Sequence, residues 1–261
     1  MEDNDSIQMA ALLNQDLQNW CLEHPRLYGF GVLPTLSIKG SIQEIERISS
    51  LSKIKGVIMG THGVGKGLDD PELDPLFSKI EELGLIIFLH PHYGLPNEMY
   101  GEQENGHVLP LALGFPFETT IAISRLILTG IFDRLPNLKI LLAHSGGTAP
   151  FLAGRLDSCV AHDYSAVASK LAKPPSEYLK NLYYDAISYH APGLRCVSEF
   201  AGVDRILFGT DHPFFPPQKN SKEEWMSVIS NKNAIKDAFN NDEVKKIMGQ
   251  NALKILSINE S

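Results

Sequence analysis

A chain of 261 residues with 43% hydrophobic and 21% charged side chains carries enough apolar material for a sizeable packed core. Its formal charge of −8 speaks against nucleic acid or an anionic membrane as partner, since both reward a basic face, and any anionic ligand has to be met by local cations. Three widely spaced cysteines (Cys21, Cys159, Cys196) and an acidic start without signal core or arginine-rich transit pattern lead us to expect reduced thiols in a soluble, cytoplasmic protein. No apolar run approaches the ~20 residues of a membrane span.

The first segment, SIQMAALLNQDLQNWCLEHP, reads as a helix leading into the apolar run YGFGVLP (28 to 34). Further runs follow at 56 to 60 (GVIMG), 85 to 89 (LIIFL), 139 to 143 (KILLA), 182 to 186 (LYYDA) and 205 to 209 (RILFG). Between them, 41 to 52, 72 to 84 and 118 to 132 place apolar residues three and four apart, the spacing of helices. Runs that are apolar throughout suit strands buried on both faces of a parallel sheet, so the alternation points to an α/β fold of the (β/α) barrel type. No composition break divides the chain, and residues 1 to 261 are expected to form one domain. Only six β/α units are legible, whereas a closed barrel has eight strands, so the expectation is a barrel lacking its first two strands. The longest loop, from His92 to about Pro116, is of a length that often carries function in a compact α/β chain.

Chemistry in such folds gathers where strands end at the carboxyl edge of the sheet. His62 follows the second run, His90 the third and His144 the fourth, Asp185 closes the fifth, and Asp211 follows the sixth. Imidazoles together with a carboxylate suit a divalent transition metal, zinc first, which can polarise a substrate oxygen or acidify water. In LIIFLHPHYG, residues two apart on a strand share a face, so His90 and His92 could grip one ion. The intervening Pro91 marks the strand's end, however, leaving His92 in the loop and favouring a single ligand, His90. The segment AHSGGTAPFLAGRLDS then begins a helix bearing Arg155, either a solvated residue or a carboxylate clamp. In FGTDHPFFPP, His212 points away from Asp211, and Phe214 or Phe215 is placed to wall a pocket for a flat substrate.

LIIFLHPHYG, LLAHSGGTAPFLAGRLDS and LFGTDHPFFPP, in this order, resemble the decarboxylase branch of the amidohydrolase superfamily, which includes the 2-amino-3-carboxymuconate-6-semialdehyde, γ-resorcylate and uracil-5-carboxylate (isoorotate) decarboxylases. The stretch GHVLPLALGFPFETTIAISRLILTGIFDRLPNLKILLAHSGG is most similar to the isoorotate type. The resemblance implies that His90 and Asp211 are zinc ligands and that Asp211 also transfers the proton. It implies that His144 lies over the metal, that Arg155 binds a substrate carboxylate, in some members across a dimer interface, and that Phe214 lies beside the substrate ring. Zinc is the implied cofactor, with no organic cofactor, and a homodimer the implied assembly. The family's opening strand bears an H-x-H pair of further ligands, and no such motif precedes His24 here. Two ligands of an expected four imply weakened metal affinity.

The function expected from these readings is metal-dependent decarboxylation of an aromatic or heteroaromatic carboxylic acid such as isoorotate. The competing expectations are hydrolysis of a lactone or amide by metal-bound water, and a non-catalytic binding role for an incomplete barrel with an exposed sheet edge.

Overall fold

The structure, a computed structural model, describes residues 3–34, 37–62, 67–163, 170–217 and 225–258. All six apolar runs become strands: β1 (Gly29–Gly31), β2 (Ile54–Gly60), β3 (Ile86–His90), β4 (Lys139–Leu142), β5 (Tyr183–Asp185) and β6 (Ile206–Leu207). They form one parallel sheet in the order in which they occur along the chain. Every pairing is between consecutive strands, so the sheet is an arc of barrel wall, and among the described residues β1 and β6 do not pair with each other.

α1 (Asp3–Glu23) precedes β1, and the other helices lie between the strands or after the last of them: α2 (Ile38–Ser49), α3 (Asp74–Glu82), α4 (Phe115–Leu128), α5 (Ile131–Arg134), α6 (Ala149–His162), α7 (Pro175–Leu179), α8 (Ala191–Ala201), α9 (Met226–Ala238), α10 (Asn241–Lys245) and α11 (Asn251–Ile255). Boundaries move where a cap decides them. α2 begins three residues earlier than its apolar spacing suggests, because the Ser37 side chain accepts the Gly40 N–H and closes the first turn. The predicted helix over 118 to 132 divides at Gly130, whose φ of 74° lies in the left-handed region, and the chain restarts as α5.

The strands carry apolar residues on both faces, one buried under the helices and the other half-buried, with Ile58 on it exposed, which is why their sequences do not alternate. Val57, Met59, Ile87, Leu89, Ile140 and Leu142 pack under the helices in the main core. Ile86, Leu141 and Leu207 form a second cluster with Phe30, Phe88 and Tyr183, covered by Ala252, Ile255 and Leu256 at the chain's last helix. Among the described residues one helical stretch, Pro110–Leu128, 19 residues, is long and apolar enough by length and composition to cross a membrane, contrary to the expectation from the sequence. Glu118, Thr119, Thr120, Ser124 and Arg125 break it into short apolar pieces in the sequence. Its Ala122, Ile123, Leu126 and Ile127 belong to the main core.

The register aligns the carboxyl ends of the strands. Gly60 lies opposite His90, Leu89 opposite Leu142, and Asp185 opposite Leu207. The polar residues that follow each strand therefore emerge along one rim.

Candidate active site

His90 ends β3, and its Nδ1 lies 2.7 Å from the Pro91 carbonyl oxygen. That contact makes Nδ1 the protonated nitrogen and leaves the Nε2 lone pair free, the arrangement typical of a metal-bound imidazole. The ring centroid is 5.2 Å from that of His144. Burial first, and then the His144 charge, push the His90 imidazolium below its ordinary pKa, so the ring is neutral at pH 7.

His92 takes another course. Its ring packs edge-on against Tyr93 at 4.7 Å, while its backbone N–H donates to Glu118 Oε1 at 3.1 Å. Glu118 is the hub of this part of the rim. Only 6% exposed on α4, it also accepts the Tyr93 N–H at 3.0 Å, the Gly94 N–H and the Thr61 hydroxyl, and His62 Nδ1 lies 3.6 Å away. Three successive backbone N–H groups thus form an anion-binding nest around one carboxylate, which ties the loops after β2 and β3 to the helix behind them. His92 is one of the loop residues that this nest fixes, and His62 belongs to the same cluster.

After β4 the chain turns sharply, with His144 at φ 53° and Ser145 at φ 55°. Left-handed backbone costs a non-glycine residue about 1–2 kcal/mol, and the buried Asp185 offsets it. Its carboxylate accepts the N–H groups of His144 (3.0 Å), Ser145 (2.9 Å) and Ile187 (3.0 Å), and the Ser145 hydroxyl donates to its backbone oxygen at 3.0 Å. Burial pushes the Asp185 carboxyl up to about 6 against the pull of those donors. Asp185 is therefore the buried carboxylate that aims His144. Gly147 completes the turn at φ 62°, where any Cβ would strike the Pro116 carbonyl oxygen. The His144 imidazole is held below its ordinary pKa, chiefly by burial, and its Nδ1 is buried without a hydrogen-bond partner. A neutral ring with an unpartnered nitrogen is set up to receive a ligand atom.

Asp211 follows β6 at φ 58°, and its charge acts on both His90 and His144. Its Oδ2 accepts the Tyr189 hydroxyl at 3.0 Å. Burial, then the Asp211 charge, hold that phenol well above its ordinary pKa, so it remains a donor. His212 turns away as expected, its ring 4.3 Å from Trp225. Phe214 and Phe215 are both exposed on this loop, and it is Phe215 that meets the site, its ring edge-on to Tyr189 at 6.5 Å. Phe214 is tied to Asp211 through the backbone, donating its N–H to the Asp211 carbonyl at 2.8 Å.

His90, His144 and Asp211 are thus brought together, whereas Arg155 is not. It is exposed on α6, six residues beyond Ala149, which at 1.5 Å per residue is about 9 Å along the helix. Among the described residues, no hydrogen bond or ion pair joins it to His90, His144 or Asp211. Among the described residues, no group of three or more His, Cys, Asp or Glu side chains is arranged to hold a metal ion. Among the described residues, five of the six non-glycine residues at positive φ (His144, Ser145, Tyr189, Asp211 and Phe215) lie in the loops of this rim. Such concentrations of backbone strain mark functional sites. Sequence reasoning missed Glu118, Tyr189 and Asn231. A lone carboxylate inside an otherwise apolar helix was the available signal for Glu118.

The sequence signature described as Amidohydrolase matches residues 3–258 of this chain. The chain is 35% identical over 214 residues to the 2-amino-3-carboxymuconate-6-semialdehyde decarboxylase of Dictyostelium discoideum, an alignment covering 80% of this chain and 58% of that protein. The fold is similar to that of Metarhizium anisopliae IDCase, an isoorotate decarboxylase, with a TM-score of 0.95, 43% identity, and coverage of 100% of this chain and 72% of that one. It is also similar to 5-carboxyvanillate decarboxylase from Sphingomonas paucimobilis, with a TM-score of 0.84, 26% identity, and coverage of 99% and 75%. The chain therefore spans less than two thirds of the Dictyostelium relative's length.

Proposed function

Because the chain belongs to the amidohydrolase family, in its branch resembling 2-amino-3-carboxymuconate-6-semialdehyde decarboxylase, we propose that it is a metal-dependent decarboxylase without organic cofactor. Its substrate is an aromatic or heteroaromatic carboxylic acid of the isoorotate kind, and residues 1 to 261 act as a single domain in the cytoplasm. The observation that carries this reading is the meeting of two neutral imidazoles, His90 and His144, with the Asp211 carboxylate on one strained rim.

The donors fit a divalent metal in kind. His90 presents a free Nε2, and Asp211 keeps Oδ1 clear of the Tyr189 hydroxyl. They do not fill a coordination sphere in number, so a metal held by His90 and Asp211 takes its remaining ligands from outside this pair. Zinc is our first choice, and when bound it supplies Lewis acidity toward a substrate oxygen.

The chain's own residues do the rest. Asp211 first takes up a proton from solvent and then, as general acid, gives it to the ring carbon that bears the carboxylate, returning to the carboxylate form. The carbon becomes tetrahedral, the bond to the carboxylate breaks, its electron pair returns to the ring, and CO2 leaves. His144, aimed by Asp185 and neutral, holds a substrate oxygen through its unpartnered edge. Phe214 and Phe215 wall the ring's side of the site.

Arg155 serves as the carboxylate clamp of a second copy in a homodimer. Phe151, 79% exposed, stands one helical turn before it on the same face of α6, and Leu113 and Ile121 are exposed on the neighbouring segment. An apolar anchor beside an arginine is the composition of an interface core. Replacing Phe151 by Glu is expected to shift the chain from dimer to monomer in sedimentation equilibrium; an unchanged mass would remove α6 from the interface.

The activity itself is tested by incubating the purified chain with Zn2+ or Mn2+ and isoorotate, γ-resorcylate or 5-carboxyvanillate, following CO2 and products by mass spectrometry. Release of CO2 with the matching decarboxylated ring is expected. A ring-opened or hydrolysed product without CO2 would overturn the assignment.

A further inference from the structure

Asp211 and Tyr189 belong to different loops, one after β6 and one after β5, and both occupy the left-handed region, at φ 58° and φ 53°. One buried side chain holds both loops. Asn231 on α9, with 0% exposure, accepts the Tyr189 backbone N–H on Oδ1 at 3.0 Å and donates from Nδ2 to the Gly209 carbonyl at 2.8 Å. Gly209 lies two residues before Asp211. The amide therefore sets the spacing between the two loops, and the Tyr189 hydroxyl closes the remaining gap onto Asp211 Oδ2.

We infer that Tyr189 is a positioning residue for Asp211: its hydroxyl occupies Oδ2, so that Oδ1 is the one oxygen Asp211 presents to a metal or a proton acceptor. The inference rests on the role proposed above for Asp211 and adds what fixes that carboxylate. A free carboxylate rotates about its last bond and offers either oxygen or both. Accepting a phenol on one oxygen stops that rotation, and tethering the phenol's own backbone to Asn231 keeps the donor in place. Phe215, itself at φ 58°, packs its ring edge-on to Tyr189 and limits its swing. A tyrosine serving only as packing would need neither the left-handed backbone nor the buried amide.

The test is a thermodynamic cycle on the purified chain. Zinc affinity is measured by competition with a colorimetric chelator in wild type, Tyr189→Phe, Asp211→Gly and the double variant, with melting temperatures as the fold control; glycine keeps the φ of 58° without strain. Removing a partner that orients a metal ligand costs about 10–100-fold in affinity, so Tyr189→Phe is expected to weaken zinc about tenfold in the wild-type background. It is expected to change nothing in the Asp211→Gly background, where the side chain that accepts the hydroxyl is gone. With an active preparation, the same variant lowers kcat and leaves KM for the acid within about threefold. Equal penalties in both backgrounds, or no penalty in wild type, would overturn the inference while leaving the decarboxylase reading in place. A wild-type chain that binds neither zinc nor manganese would overturn both.

Discussion

Asp211→Asn is expected to reduce CO2 release by about a thousand-fold while leaving the protein folded. The change removes one ionisable oxygen and nothing else of similar size. Asparagine tolerates the left-handed region at φ 58° better than most residues, so the turn after β6 keeps its shape. Its amide oxygen still accepts the Tyr189 hydroxyl at the position of Oδ2. Two functions are lost together. A positioned general acid contributes about 10²–10⁴-fold in rate, and a neutral amide is a poorer partner for a divalent cation than a carboxylate. The measurement is the initial rate of CO2 release at saturating acid, with the melting temperature recorded alongside. A melting temperature within a few degrees of wild type and a rate reduced by less than about tenfold would take the proton-transfer role away from Asp211.

The rim was legible in the sequence for a simple reason. A strand packed on both faces is apolar along most of its length, so the first polar residue of each run marks the end of its strand or the turn just beyond it. His90, His144, Asp185 and Asp211 all stood at such points, and the register sets the ends of neighbouring strands side by side. The same logic separated His90 from His92, because Pro91 breaks the pleat that would have aligned them. It could not say what holds His92, since the Glu118 carboxylate reaches it from 26 residues away in the chain. Nor could it find the left-handed turns. Only glycine advertises that conformation in a sequence, and here it falls on His144, Ser145, Tyr189, Asp211 and Phe215, each held there by tertiary contacts. Tyr189 lies in a loop without periodicity and Asn231 inside a helix, so their pairing exists only once α9 packs across the sheet's end. Arg155 was visible as a cation near the fourth strand. Its distance from the histidines appears only when α6 is built residue by residue away from the rim.

Glu118→Ala is expected to be the most destabilising single change on the rim, at about 3 kcal/mol. The wild-type carboxylate receives the N–H groups of His92, Tyr93 and Gly94 and the Thr61 hydroxyl, and is itself nearly inaccessible to water. Alanine leaves all four donors facing a cavity, and each buried donor left without an acceptor costs about 1–3 kcal/mol. Water entering the cavity satisfies part of that demand, which is why the expected total stays below the simple sum. Glu118→Gln separates charge from shape: it keeps the volume, but its amide nitrogen must face donors, so at least one N–H stays unmet. For a chain of this size about 3 kcal/mol corresponds to a fall in melting temperature of roughly 6–12 °C. Urea denaturation gives the free energy directly, and the slope of the transition should not change. Because the nest anchors the loop that leaves His90, the alanine variant should also speed amide hydrogen exchange at His92, Tyr93 and Gly94 before it affects β3 itself. Equal protection of those three amides in wild type and variant would mean that the loop holds its shape without the carboxylate, and that Glu118 does not organise this side of the site.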